Sequence, residues 1–259
     1  MTRKAPAWML GLGGLLGILA FWWLVAATFM SKTIPTPWAV VVQAIEDGTG
    51  FYWRNLSVTL AEAGVGYLWG NGLALVVAAL VLVLPATRGI AMQLAVISYC
   101  IPIVAIGPVV RIIIGSPASG EPSGTAIFLA AMSVFFTTVV GALLGLRSAD
   151  KSALDLVSVY GGGRWQQLIK VQLIAALPAI LNALKVAAPA AVLGAVLGEY
   201  IGGVDAGLGP AMINAQQSLE VARVWGVALV SGLAAGAGYA VFALLAKLVT
   251  PWSTGKAAR

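Results

Sequence analysis

TAIFLAAMSVFFTTVVGALLGL, residues 125–146, runs for 22 residues without a charged side chain. As an α-helix it would extend about 33 Å, enough to cross a hydrocarbon core of roughly 30 Å. A helix also satisfies its backbone polar groups internally, which lipid demands. Apolar runs at 66–84, 89–114, 179–201 and 224–249, and one near the start at 8–29, repeat the pattern. Together they predict an all-α membrane protein, a six-transmembrane-helix bundle.

Composition supports this class. The 259 residues are 60% hydrophobic and 9% charged, whereas soluble domains carry about 25% charged residues. The length fits a single transmembrane domain over 1–259. There is no histidine and one cysteine, Cys100. That excludes a disulfide framework, a Cys/His metal site and imidazole acid–base chemistry, so no catalytic residue, metal ligand or resident cofactor is expected.

The net charge of +6 comes from fifteen Lys and Arg scattered along the chain rather than gathered on one basic face, which argues against nucleic acid as a partner. Their placement predicts topology. With the N-terminus cytoplasmic, the inner side collects Arg3, Lys4, Arg88, Arg147, Lys151, Arg164, Lys170, Lys185, Lys247, Lys256 and Arg259. The outer side keeps only Lys32, Arg54, Arg111 and Arg223. Both termini are therefore expected in the cytoplasm. The run 8–29 is longer than the ~7–15-residue apolar core of a secretory signal and no small-x-small cleavage site follows it, so it reads as a retained first span.

Most connections are short, at 85–89 and 115–124. An outer segment at 31–54 has an extended start at Pro35 and Pro37 and an interfacial helix at 38–45, and 55–63 reads as an amphipathic lead-in near the interface. The exception is 147–177, about thirty residues, more than a plain helix connection needs. Ser152 and Asp155 have capping-box-like spacing, and Leu154, Val157 and Tyr160 share one helical face. Gly161, Gly162 and Gly163 supply a left-handed stop, and a second amphipathic stretch runs from 164 to 173. Such a helix pair either serves a partner or lies on the lipid interface.

Within the spans, Glu62, Arg111 and Glu199 stand out, because a buried ion is costly in lipid. Pro102 and Pro108 precede Arg111 and should free backbone carbonyls toward a pathway. Arg111 either attracts an anionic solute or snorkels to the outer interface. Glu199 reads as a cap or a cross-helix partner, with substrate contact as the other reading. The spacings Gly141/Gly145, Gly194/Gly198, Gly198/Gly202 and Gly232/Gly236 permit close helix approach. Trp22, Trp23, Trp38, Trp53 and Trp69 read as interface anchors.

The stretch DLVSVYGGGRWQQLIKVQLIAALPAILNALKVA, from Asp155, resembles the cytoplasmic signature of permease subunits in bacterial ATP-binding-cassette (ABC) importers: Glu-Ala-Ala, three residues, Gly, and a downstream Leu-Pro. Aligned on Gly161, Asp155 takes the acidic position and Leu156 and Val157 replace the two alanines. The run from Gly161 to Gln166 is similar to the family's Gly-Ala-Ser-Arg-Trp-Gln. One Leu-Pro is Leu173-Ile174 here, while Leu177-Pro178 survives. Pro35-Thr36-Pro37, Ile101-Pro102 with Pro108, and Glu199-Tyr200-Ile201-Gly202 followed by Gly207-Leu208-Gly209 are similar to the nitrate/sulfonate/taurine branch, over roughly 35–249.

The resemblance implies a type I importer permease in the bacterial inner membrane, half of a dimeric pathway for a small solute of the nitrate, sulfonate or taurine kind. Similar permeases carry vitamin precursors and other small organic molecules. It implies a second permease subunit, identical or different, an ABC ATPase dimer and an extracytoplasmic substrate-binding protein, with membrane lipid as surroundings. The 150–161 helix would couple to the ATPase through Leu154, Asp155, Val157, Tyr160, Gly161 and Arg164. Physically, a short capped helix on two arms is a peg that a separate motor can grip. Arg164 and Lys170 would contact the motor's acidic residues or hold the arms to anionic headgroups. A phosphate-cradling loop is missing, since Gly255-Lys256 is followed by Ala257, so ATP and Mg would bind in the partner ATPase. The competing reading is a carrier driven by an ion gradient, for which Glu62 and Glu199 are sparse material.

Overall fold

The computed structural model describes residues 7–28 and 33–254, and every regular element among them is helical. Arg3, Lys4, Lys32, Lys256 and Arg259 of the charge count, and Gly255, lie outside the described residues. Among the described residues, five helices are long and apolar enough to cross a membrane. A sixth crossing exists if one bent pair forms a single span.

The first helix, α1 (Ala7–Thr28), is exposed over nearly its whole length. Trp22 ties it to the rest, stacking on Trp225 at 5.3 Å and donating from Nε1 to the carbonyl of Pro35 at 3.0 Å, and Ala26 is buried one turn on. Helix α2 (Pro37–Val83) is longer than any run of apolar residues suggested, because it is two helices end to end. Gly48 divides them at φ 75°, ψ 160°, a conformation other residues rarely adopt. Asp47 fixes the break. Its Oδ1 accepts from Nη2 of Arg223 at 2.5 Å, Nε of Arg223 at 2.8 Å and Gln43 at 3.0 Å. The stretch 55–63 is part of the long second piece, and its polar residues Asn55, Thr59 and Glu62 are buried in the protein instead of lying at an interface.

The run expected as one span at 89–114 is broken into α3 (Arg88–Cys100) and α4 (Ile103–Ile114), bent by 95°. Proline explains the place of the break. Pro102 has no N–H to continue the ladder, and Ile101 before it is extended at φ −71°, ψ 120°. Pro108 lies inside α4 without ending it.

The centre of the bundle is α5 (Gly124–Gly145) packed on the long helix α8 (Leu173–Gly202), with α2 against both. Glycines let the backbones touch: a Cβ on Gly194 would fall 2.7 Å from the carbonyl oxygen of Leu129, and one on Gly198 2.9 Å from the amide nitrogen of Ala126. Gly141 and Gly145 meet Ala183 and Ala176 in the same seam. Gly232 and Gly236, in the last long helix, have no atom within 4 Å of where a Cβ would stand.

Two short helices, α6 (Lys151–Val159) and α7 (Arg164–Gln167), precede α8, joined to it by a π-helical turn at Leu168–Gln172. Helix α8 starts six residues earlier than 179–201 suggested, and Lys185, counted with the inner charges, lies well inside it with its Nζ 5.2 Å from the centre of the Tyr239 ring. After α8 come α9 (Leu208–Gln217) and α10 (Val221–Val249). One end of the bundle thus carries α6 and α7, and the other carries the start of α9.

Candidate functional site

At the first end, Asp150 starts α6: its carboxylate accepts from the amide of Ser152 at 3.1 Å. The cap is therefore two residues before the Ser152 position expected from capping-box spacing, and Asp155 stands exposed on the helix surface. The helix stops in a Schellman arrangement, with Gly161 donating to Ser158 at 2.9 Å and Gly162 to Val157 at 2.8 Å. Gly161 sits at φ 78° with open space around it. Gly162 is required for room, since a Cβ there would lie 2.6 Å from Oε1 of Gln166 and 2.7 Å from the Val157 carbonyl oxygen.

Gln167 locks the two short helices together, donating from Nε2 to the Leu154 carbonyl at 3.0 Å and to Ser158 Oγ at 2.8 Å. Leu154 and Val157 consequently turn inward and are half-buried. The apolar surface that faces away from the protein is instead Leu156, Val159 and Tyr160, the last two 82% and 84% exposed. Arg164, at the start of α7, is exposed. The positions from Leu154 to Tyr160 thus divide differently from the face drawn through Leu154, Val157 and Tyr160, because the return arm, invisible to a periodicity argument, covers one side.

At the opposite end, three consecutive amides open α9. Gly207 donates to Asn55 Oδ1 at 3.1 Å, Leu208 to Thr59 Oγ1 at 2.9 Å and Gly209 to Glu199 Oε2 at 2.7 Å. Glu62 Oε1 accepts from the amide of Ser123 at 2.5 Å, and the Ser123 hydroxyl accepts from Ala126 at 3.2 Å, capping α5. Asn55, Thr59 and Glu62 recur at helical spacing, and all are buried, as is Glu199. The two buried acids therefore supply acceptors to helix starts, where orphan amides and the helix dipole favour negative charge. The cap expected of Glu199 is present. The partnership of Asn55 and Thr59 was missed, although their spacing of four, with Glu62 three further on, was its signal.

Arg111 is exposed and donates from Nη1 to the carbonyl of Ile201 at 2.9 Å, near the end of α8. Gly107, one turn earlier, also packs on Ile201. Pro102, just before α4, and Pro108, within it, are exposed. The structure thus brings Arg111 and the end of the Glu199 helix to one neighbourhood, far along the chain from the 150–164 residues.

The sequence has relatives. Residues 70–254 match the family described as binding-protein-dependent transport system inner membrane component. A probable ABC transporter permease protein of Haemophilus influenzae is 30% identical over 83% of this chain and 86% of its own length. A putative aliphatic sulfonates transport permease protein of Bacillus subtilis is 26% identical over 95% of this chain and 84% of its own. A formylaminopyrimidine transport permease protein of Halalkalibacterium halodurans is 23% identical over 89% and 90%. An all-helical, multi-pass bundle with an ordered helix pair between its two closely packed central helices, matched over most of its length, is a permease subunit of an ABC importer: the chain belongs to the family of binding-protein-dependent transport system inner membrane components.

Proposed function

We propose that this chain forms half of the translocation pathway of an ATP-driven importer for a small solute, and that α6 is the part its ATPase dimer grips. The observation that carries the reading is the outward apolar face of Leu156, Val159 and Tyr160 on a capped helix whose inner side is bolted to the return arm. An exposed apolar patch of this kind marks a contact surface, which on this reading belongs to the ATPase. Asp155, Gly161 and Arg164 belong to the same peg: Asp155 on its surface, Gly161 as its stop and Arg164 at the first turn of the arm.

The reading has six spans with both termini cytoplasmic, in one domain whose coupling segment is 147–177. Support for counting α3 and α4 as one crossing comes from their far ends. Arg88 neighbours Arg147 at the α6 end, whereas Arg111 bonds Ile201 at the other. A second permease subunit would cover α1 and α10, whose faces are exposed and whose Gly232 and Gly236 leave room for a close helix. An extracytoplasmic binding protein would deliver the solute at the α9 end, past Pro102, Pro108, Arg111 and the helix that Glu199 caps. ATP and Mg would be held by the ATPase subunits.

For the cargo, the sulfonate permease relative, matched over nearly the whole chain, favours a small solute of the sulfonate, nitrate or taurine kind. The formylaminopyrimidine permease relative favours a vitamin precursor as the second reading. Proteoliposomes decide the class. Uptake should require the ATPase, ATP and the binding protein together, and uptake by this chain alone under an ion gradient would overturn the proposal. Competing a sulfonate against a formylaminopyrimidine in that assay separates the cargoes.

A further inference from the structure

Beside the peg lies a cavity of about 650 Å³, in the range of pockets that hold small organic ligands (~300–1,000 Å³). Arg88, Arg147 and Arg164 line it from three separate elements. No acidic side chain lines it, and the ion pairs among the described residues, both made by Arg223, involve none of the three. Three uncompensated guanidinium groups around one space call for an anion, and a fork of N–H donors suits phosphate.

The floor says which kind of anion. It is formed by Val81 and Leu82 of the last turn of α2 and by Leu143 of the last turn of α5 with Leu146 just after it. The cavity therefore sits at the level where spanning helices end, with cations above and aliphatic surface below. A free phosphate or nucleotide has no use for that floor; a phospholipid has both halves. The wall opposite is the π-helical turn, where Leu168 and Gln172 face the space, a widened geometry often found at functional positions.

We infer that this cavity is a site for the headgroup of an anionic phospholipid of the cytoplasmic leaflet, held by Arg88, Arg147 and Arg164. Gln167 lines the same cavity while holding Leu154 and Ser158 of α6. The lipid thus braces the arm that carries the peg. The inference rests on the proposed orientation, which puts this end in the cytoplasm.

Trp165 lines the cavity and reports on it. The full-length chain, without ATPase, is placed in phosphatidylcholine nanodiscs with rising fractions of phosphatidylglycerol or phosphatidylcholine brominated near the headgroup. Trp165 emission is taken as the difference from a Trp165→Phe variant. Brominated phosphatidylglycerol should quench at a severalfold lower fraction than brominated phosphatidylcholine. Arg88→Gln, Arg147→Gln and Arg164→Gln should each weaken that preference about fivefold, the worth of one basic residue near an anionic surface. Lys247→Gln, which does not line the cavity, should not. Equal quenching of the wild type by the two lipids overturns the inference without reference to any variant, as does an unchanged preference in the three folded variants. Quenching relieved by millimolar inorganic phosphate would make this a free-anion site, and quenching abolished by adding ATPase would assign the arginines to that protein; either result overturns it. Because the assay contains no motor, failed ATP-driven uptake with selective quenching intact sinks the transport reading alone, and the converse sinks only the lipid site.

Discussion

The carboxylate of Glu199 accepts the amide of Gly209 at 2.7 Å, so α8 caps the helix that follows it after a turn of only a few residues. The cap is buried, and Gly207 approaches so closely that a Cβ there would lie 2.6 Å from the carboxyl carbon. Glu199→Ala would leave the Gly209 amide without its acceptor, at about 1–3 kcal/mol. Glu199→Gln keeps an oxygen for Gly209 and places an N–H where Oε1 of Glu199 has no partner among the described residues, so its loss should be smaller. Chaotrope unfolding of the purified protein in detergent should rank wild type, Gln and Ala in that order.

Asp47 and Arg223 join the broken helix α2 to the start of α10, with the aspartate side chain only 1% exposed. Removing Arg223 leaves Asp47 with Gln43 and Tyr52 but no countercharge, and removing Asp47 leaves Arg223 with Glu220 alone; each should cost about 1.5–3 kcal/mol, the range for hydrogen bonds to charged groups. The double variant Asp47→Ala with Arg223→Ala should lose less than the sum of the two single losses, because no charge remains unpaired between those two positions. The same unfolding assay checks it.

Gly161→Val forces a β-branched residue to φ 78°. The strain is about 1–2 kcal/mol, and it falls on the last residue of the peg rather than on any span. ATP-driven uptake in proteoliposomes should drop while membrane insertion, followed by fractionation, stays normal. Gly163, at φ −81° with open space around it, should accept Ala with no comparable effect.

Tyr160→Ala or Val159→Ser removes outward apolar surface without touching the side of α6 packed on the arm. If either is an anchor of the ATPase interface, its loss should weaken co-purification of the ATPase by about thirtyfold, the level of a hot-spot residue. Thermal stability of the isolated chain should be unchanged. Val157→Ser should reverse the pattern, because Val157 packs under Gly162 and lowers stability first.

The spans centred on 125–146 and 224–249 were legible because unbroken apolar length is a property of the chain alone. The start of α2 was not. Its first piece contains Glu46 and Asp47, with Arg54 just past the break, charges that read as loop until Arg223, some 170 positions later, is seen to neutralise Asp47. The break at Ile101–Pro102 had its proline in view, but a bend of 95° depends on what packs on each side. Asn55 and Thr59 read as an amphipathic surface; the helix start they serve is contributed by residues 207 and 208, so inside and outside were exchanged. On the peg, the glycine stop was written in the sequence, whereas the outward face was decided by Gln167 bonding back across the turn.

That pair of bonds from Gln167 has a mechanical meaning. A force applied to Tyr160 is delivered to Leu154 and Ser158, and through one amide group to the segment leading into α8, so the crank and its shaft turn together. Under the proposed coupling, a stroke applied to α6 would reach α8 only through the π-helical turn at Leu168–Gln172, whose wider geometry would set how much of it becomes rotation of α8.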